Sequence, residues 1–485
     1  MGSAQLTYRE LVDRIDRVSN GALNGLGLAP GDHTALMAPN CLEFIEIVMG
    51  LAEAGTPAAM VNPKLTGPEL AYICDDARAR VLFVHESLAE LARSTQLATV
   101  ERIIVIGAEY ERFLADSRPL RPAHRPEEWD TFCLPYTAGT TGRPKGVMLP
   151  HRARALTFFA MAVEFGCYSP DDRALATAPL FHGAGFTFSA AALTFGGYAE
   201  IGPPKFDPEE VLRLLRDLEL TNVFLVPTHF NGIFALSERE LGDLKPARLR
   251  TIMSNAAPLP QATKEKIVDY FGDGLLHELY GSTEGGIISN LRPPDQLRKI
   301  RCVGKPFPAT LVRLLDDGGN DVSRGEVGEL YSTSPYLFNG YWGRAEETAA
   351  SFRDEWFSAG DMAVQDEEGY LYLVDRKQDL VISGGVNIYP RELEEVLCMH
   401  PAVLEAAAVG LPDAYWGEAI TAFVVLNPQA RVDESDLLRH CEQSLARFKL
   451  PKAITFVAAL PRNAAGKVLK TELRKSGPAN LDPIA

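Results

Sequence analysis

Short apolar runs alternate with helical patterns along the first part of this chain, and that alternation narrows its fold more than any other feature. Residues 35–37, 58–61, 81–84 and 103–106 are continuous apolar runs of strand length. Helical patterns such as 42–52 and 69–74 separate some of them. A strand that is apolar on both faces must be covered on both, and crossover helices provide that cover for parallel strands. The expected class is α/β: a large N-terminal domain of layered α/β sheets and a small, mobile α+β domain at the C-terminal end. Thr7-Tyr8-Arg9-Glu10 forms a capping box that should open a first helix, ending near Gly25 and Gly27. Residues 118–130, rich in Pro and charge, read as an exposed connector. Residues 174–199 carry no Asp, Glu, Lys or Arg; their Pro179, His182 and small polar residues suit a buried cavity lining better than a membrane span. Near the end, a helix at 391–399, strands at 404–409 and 419–426, a helix at 434–446 and a strand at 454–457 make up the small unit.

Composition sets limits on partners. The 485 residues are 46% hydrophobic and 23% charged, enough for a large core without metal or disulfide support. The 48 basic and 64 acidic residues leave a net charge of -16, with no long basic cluster. Nucleic acid is therefore an unsuitable partner, whereas a small anion held by local donors is not. Seven scattered cysteines without a CxxC pair, and no basic-then-apolar leader, lead us to expect reduced thiols and a cytoplasmic setting. A zinc site is not expected, because His and Cys never cluster.

The chemistry lies in a few motifs. Tyr136-Thr137-Ala138-Gly139-Thr140-Thr141-Gly142-Arg143-Pro144-Lys145-Gly146-Val147 combines glycines that let backbone N–H groups converge, hydroxyl donors and one ammonium. That is the composition of a phosphate cradle. Its order is not that of a Walker A loop, because Lys145 does not directly follow Gly142 and no Ser or Thr follows Lys145. In Tyr280-Gly281-Ser282-Thr283-Glu284-Gly285, Tyr280 can stack on a base, Thr283 can donate to phosphate and Glu284 can hold Mg²⁺ through an oxygen.

The phosphate cradle resembles that of the adenylate-forming (AMP-binding) superfamily, and further motifs come in the order of its acyl-CoA synthetase branch along nearly the whole chain. The resemblance implies that Phe181 and His182, in Pro179-Leu180-Phe181-His182, line an acyl pocket. By the same likeness Phe186, His229, Phe230 and Ala256 add wall, while Gly281, Gly285 and Gly286 leave space for a bulky, mostly apolar acid. It also implies that Asn255, Ala256 and Ala257 pack on adenine and that Asp361 and Arg376 hold the ribose. Thr137, Gly139, Thr140, Thr141, Gly142 and Lys145 match the family's phosphate-binding residues. Gln378 falls at the family's hinge, where Asp or Lys is commoner, dividing the chain into residues 1–377 and 378–485. Gly384 and Gly385 would let the pantetheine arm of coenzyme A pass. Lys467 resembles the catalytic lysine of adenylation, acting with Thr283, Glu284 and His182. The implied ligands are ATP/AMP, Mg²⁺, coenzyme A, a carboxylic acid and its acyl adenylate, with no stable membrane span and a homodimer left open.

The chain departs from the family's pattern at three further places. Ala138 stands where Ser is frequent, Ser358-Ala359 where a basic residue and Thr usually precede Gly-Asp, and Asn255 where Gly is more common. Each donor lost to a charged group costs on the order of 1.5–3 kcal/mol. An alternative is therefore a ligase with weak adenylation that thioesterifies an adenylate made elsewhere. A luciferase-like oxygenase and a non-catalytic nucleotide binder also share these motifs.

Overall fold

The computed structural model describes residues 5–138, 143–384, 386–413, 415–427, 430–462 and 468–477. The chain divides into two compact units. One comprises residues 1–312 with 332–359, the other 313–331 with 360–485.

The first unit is built on two seven-stranded sheets. One runs Arg102–Ile106, Ala79–His85, His33–Met37, Ala58–Val61, Thr131–Ala138, Pro144–Gly146, with Leu149–Pro150 pairing on Thr131–Ala138. Its first five strands are parallel neighbours, as the doubly apolar runs require. Helices Leu42–Glu53 and Gly67–Ala77 supply the cover. The second sheet runs Lys305–Pro306, Gly286–Leu291, Leu276–Ser282, Thr251–Ser254, Asn222–Leu225, Arg173–Ala176, Tyr198–Ile201. The uncharged stretch becomes a strand, Arg173–Ala176, and a buried helix, Gly183–Thr194. No helix among the described residues is long and apolar enough to cross a membrane. The capping box closes as expected: Glu10 accepts from the Thr7 backbone N–H at 2.7 Å and Thr7 accepts from Glu10 N–H.

The second unit is α+β. Val386–Ile388, Val381–Ser383, Gly417–Leu426 and Val403–Asp413 form one sheet, on which Ala453–Phe456 adds in parallel. Helices Pro390–Cys398 and Glu434–Glu442 bury Leu393, Val396, Leu397 and Leu437 against it. Asp361–Gln365 and Leu371–Arg376 pair antiparallel in a separate sheet, where Asp361–Gln365 also pairs with Gly328–Thr333.

Two buried histidines make the fold of the first unit sensitive to acid. His277 packs edge-on against Phe165 and accepts from Asn290, while His229 stacks flat on Phe206 at 3.9 Å. Burial pulls both imidazoles from 6.5 down to about 4. As pH falls through that interval the unfolded chain takes up protons first, so stability is fullest above about 6.5 and declines toward 4. The melting temperature should fall between pH 7.5 and pH 5, and by less in His277→Gln.

Candidate active site

Strand Thr131–Ala138 turns back through the phosphate-loop segment into Pro144–Gly146, and the antiparallel register sets Thr137 opposite Lys145. Gly139, Thr140, Thr141 and Gly142, and the side chain of Ala138, lie outside the described residues. The second motif occupies the turn between Leu276–Ser282 and Gly286–Leu291. The ladder shifts register after Tyr280 and closes with Ser282 opposite Gly286, so Thr283 and Glu284 stand in the turn itself. Gly281 is required here by backbone packing, since a Cβ would stand 2.0 Å from the Gly286 carbonyl oxygen. Gly285 N–H donates to Ser282 Oγ at 2.9 Å and closes the turn.

The structure brings these two segments together through a residue that sequence reasoning did not single out. Tyr341 donates its hydroxyl to Glu284 Oε1 at 3.0 Å, and its ring lies 5.1 Å from Lys145 Nζ. Thr137 Oγ1 reaches the same Glu284 oxygen at 3.5 Å. Burial and the Glu284 carboxylate push the Tyr341 phenol well above its ordinary value, so it stays a donor. Glu347, on the following helix Ala345–Ala350, pairs with the Lys145 ammonium. Asp76 anchors this loop by accepting from Tyr136 and Arg344, and its backbone carbonyl accepts from Trp342 Nε1 at 3.0 Å. The signal in the sequence is Gly340-Tyr341-Trp342, which has no chemistry until the turn places Glu284 beside it.

Among the described residues no basic side chain pairs with Glu284, and no group of three or more His, Cys, Asp or Glu could hold a metal. The carboxylate therefore has lone pairs to spare. A Mg²⁺ ion held by one carboxylate, with phosphate oxygens and water completing its shell, fits this donor set.

The acyl-pocket residues divide. His182 caps the helix Gly183–Thr194, accepting from Ala184 N–H, and its ring opens to solvent from a recess whose burial lowers its pKa. A neutral ring results at pH 7. Gly183 faces Thr283, whose Cγ2 would lie 3.6 Å from an added Cβ. Asn40 steadies the preceding loop by bonding Leu180 N–H and the Ala178 carbonyl, a support absent from the motif reading. Phe181 packs half-buried on the core. Phe186 and Phe230, in contrast, are buried at 1% and 0% exposure. Glycines 281, 285 and 286, expected to leave space, sit in close packing. Neighbouring backbone, Ser282 and Tyr336 already fill the positions of their missing side chains. A recess of about 660 Å³, lined by Tyr8, Asn40, Ser189 and Tyr198, contains none of the motif residues.

Asn255, Ala256 and Ala257 follow strand Thr251–Ser254 as a ledge, with Ala256 at φ +79° and Asn255 Oδ1 accepting from Ala256 N–H at 2.6 Å. Tyr280 is largely buried in its strand. In the second unit Asp361 and Arg376 are cross-strand neighbours, paired at 3.3 Å. Gly384 takes φ +58°, and a Cβ there would lie 2.9 Å from the Trp416 ring. Gly385 and Lys467, and the side chain of Gln378, lie outside the described residues.

The comparisons with known proteins agree with the order of motifs. Residues 1–342 match the model of the AMP-binding enzyme family, and residues 392–467 that of the AMP-binding enzyme C-terminal domain. A feruloyl-CoA synthase of Amycolatopsis sp is 37% identical over 478 residues, covering 98% of this chain and 94% of the relative. The fold superposes on ATP-bound MatB from Rhodopseudomonas palustris with a TM-score of 0.90 at 31% identity, covering 98% and 94% of the two chains. It superposes on the anthranilate CoA ligase AuaEII, solved with anthranoyl-AMP, with a TM-score of 0.88 at 30% identity, covering 98% and 92%. The chain belongs to the AMP-binding enzyme family, in its acyl-CoA ligase branch, and is an AMP-forming acid–thiol ligase.

Proposed function

We propose that this ligase activates an aromatic carboxylic acid as its acyl adenylate and transfers the acyl group to coenzyme A, both steps on this one chain. The convergence of Thr137 and Tyr341 on Glu284, with Lys145 beside the Tyr341 ring, carries the reading, because it sets a cation, a hydroxyl and a carboxylate free of any basic partner among the described residues at one place. Relatives that bear the names of feruloyl and anthranilate ligases support an aryl acid.

In the first step a carboxylate oxygen attacks the α-phosphorus of ATP, and pyrophosphate leaves with its electron pair. Lys145 and Thr137 bind the phosphates, Thr283 donates to a phosphate oxygen, and Lys467 meets charge that builds at the α-phosphate. Glu284 would hold Mg²⁺, which when bound would neutralise phosphate charge. Tyr280 and the Asn255–Ala257 ledge take adenine; Asp361, oriented by Arg376, accepts from the ribose hydroxyls. In the second step the CoA sulfur attacks the acyl carbon, the acyl–phosphate bond breaks, and AMP leaves as the thiol proton passes to solvent. The small domain is proposed to swing about Gln378 between steps, exchanging Lys467 for the Gly384–Gly385 face.

Mass spectrometry after incubation with ATP, CoA and a panel of acids tests this. An aroyl-CoA or cinnamoyl-type CoA ester with stoichiometric AMP is the expected product. No ester with any aryl acid, or ester formed only with alkyl acids, contradicts the reading.

A further inference from the structure

Helix His151–Phe165 packs one face into the core, and the centre of that face holds a charge. Phe158, Met161 and Phe165, at the fourth, seventh and eleventh positions after Arg154, are buried at 4%, 0% and 5%. Arg154 shares their side of the helix. Its guanidinium is surrounded by protein, and burial lowers its pKa. One Nη donates to Thr187 Oγ1, while its Nε is buried with no hydrogen-bond partner. Among the described residues no carboxylate answers it. The one titratable group among the described residues that acts on it is the Cys133 thiol, which burial pushes up to about 11 and keeps neutral. An unpaired buried cation is costly unless something compensates it. Arg154 nevertheless keeps partial accessibility. Since its helix face is the buried one, the accessible space at its guanidinium lies on the inward side of the helix.

That space is one helical turn from the reacting end of the site. Thr187 donates to the carbonyl of Gly183, and Gly183 faces Thr283. Four residues of helix rise about 6 Å. The guanidinium thus stands on the order of 10 Å from Thr283, about the length of an aromatic ring with a short side chain. We propose that Arg154 is a specificity-determining residue that recognises an anionic or strongly accepting oxygen, phenolic or carboxylate, at the distal end of the acid. Resting on the aryl-acid ligase reading above, this narrows the substrate class from bulky apolar acids to acids with a distal oxygen. A guanidinium can give such an oxygen two N–H donors, whereas a plain hydrocarbon end leaves it unpaired.

The test uses pairs of aryl acids that differ only in a distal hydroxyl or carboxylate. Acid-dependent pyrophosphate release gives kcat and KM, and thermal stabilisation by acid alone gives binding. The wild type should favour the oxygenated member by about tenfold or more in kcat/KM. In Arg154→Met the KM for that member should rise about tenfold more than for its plain partner, with Arg154→Lys intermediate. The KM for ATP reports on the integrity of the nucleotide side. Equal losses for both members, or a wild type indifferent to the oxygen, overturn the proposal. If Arg154→Met does not fold, the same comparison in Arg154→Lys decides. If no acid is turned over, the aryl-ligase reading fails, yet stabilisation by oxygenated acids that Arg154→Lys weakens would still uphold the site. Absence of that stabilisation overturns it.

Discussion

Glu284→Gln should lower acid-dependent pyrophosphate release by about 10²–10³-fold, the range seen when one preorganised electrostatic group is removed from a site. The substitution keeps the shape of the side chain, and a carboxamide oxygen can still accept from Tyr341, so the turn should hold. What it removes is the negative charge set among Thr137, Tyr341 and Lys145. If that charge serves to hold the metal on the phosphates, the loss falls on adenylation. Formation of CoA ester from synthetic acyl adenylate should drop far less. Adenylation within about twofold of wild type would assign Glu284 to the closure of the turn alone.

Lys467→Ala should separate the two half-reactions more sharply. Adenylation should fall by about 10²–10³-fold, because in the proposed role Lys467 supplies the ammonium that meets developing phosphate charge. Thioesterification of synthetic adenylate should stay close to wild type, since on this account Lys467 has left the site by then. A parallel fall in both rates would contradict the alternation about Gln378.

Much of the fold was legible in the sequence because its strongest features are local. Continuous apolar runs, helical periodicity and the Thr7–Glu10 box each follow from chain chemistry within a few residues, and each became the expected element. The phosphate-loop stem and the Thr283–Glu284 turn were legible for a related reason: glycine and hydroxyl patterns report an unusual backbone. What connects them was not. Tyr341 is 57 residues from the Glu284 it bonds, and nothing near Tyr341 announces that partner. The pocket was the least legible part. Phe186, Phe230 and glycines 281, 285 and 286 were expected to shape an acid cavity, but aromatic residues and glycines serve core packing and close backbone approach just as readily. Arg154 escaped notice because an arginine on a helix is usually a solvated surface group, and only the burial of its neighbours shows otherwise.

The departures at Ala138 and Ala359 bear on how the chain uses ATP. Ala359 sits half-buried beside the core of the first unit and adds no donor there. Lys145, Thr283 and Glu284 are all retained, and the first and third converge on Tyr341. That retention is why both half-reactions are assigned to this chain. The most direct measurement is acid-dependent ATP–pyrophosphate exchange by the purified protein, run beside CoA ester formation from a synthetic acyl adenylate. Robust exchange with an aryl acid, together with the ester, is the expected result. Exchange at background while the adenylate is still converted to its CoA ester would contradict it, and would make this chain the second half of a reaction begun by another enzyme.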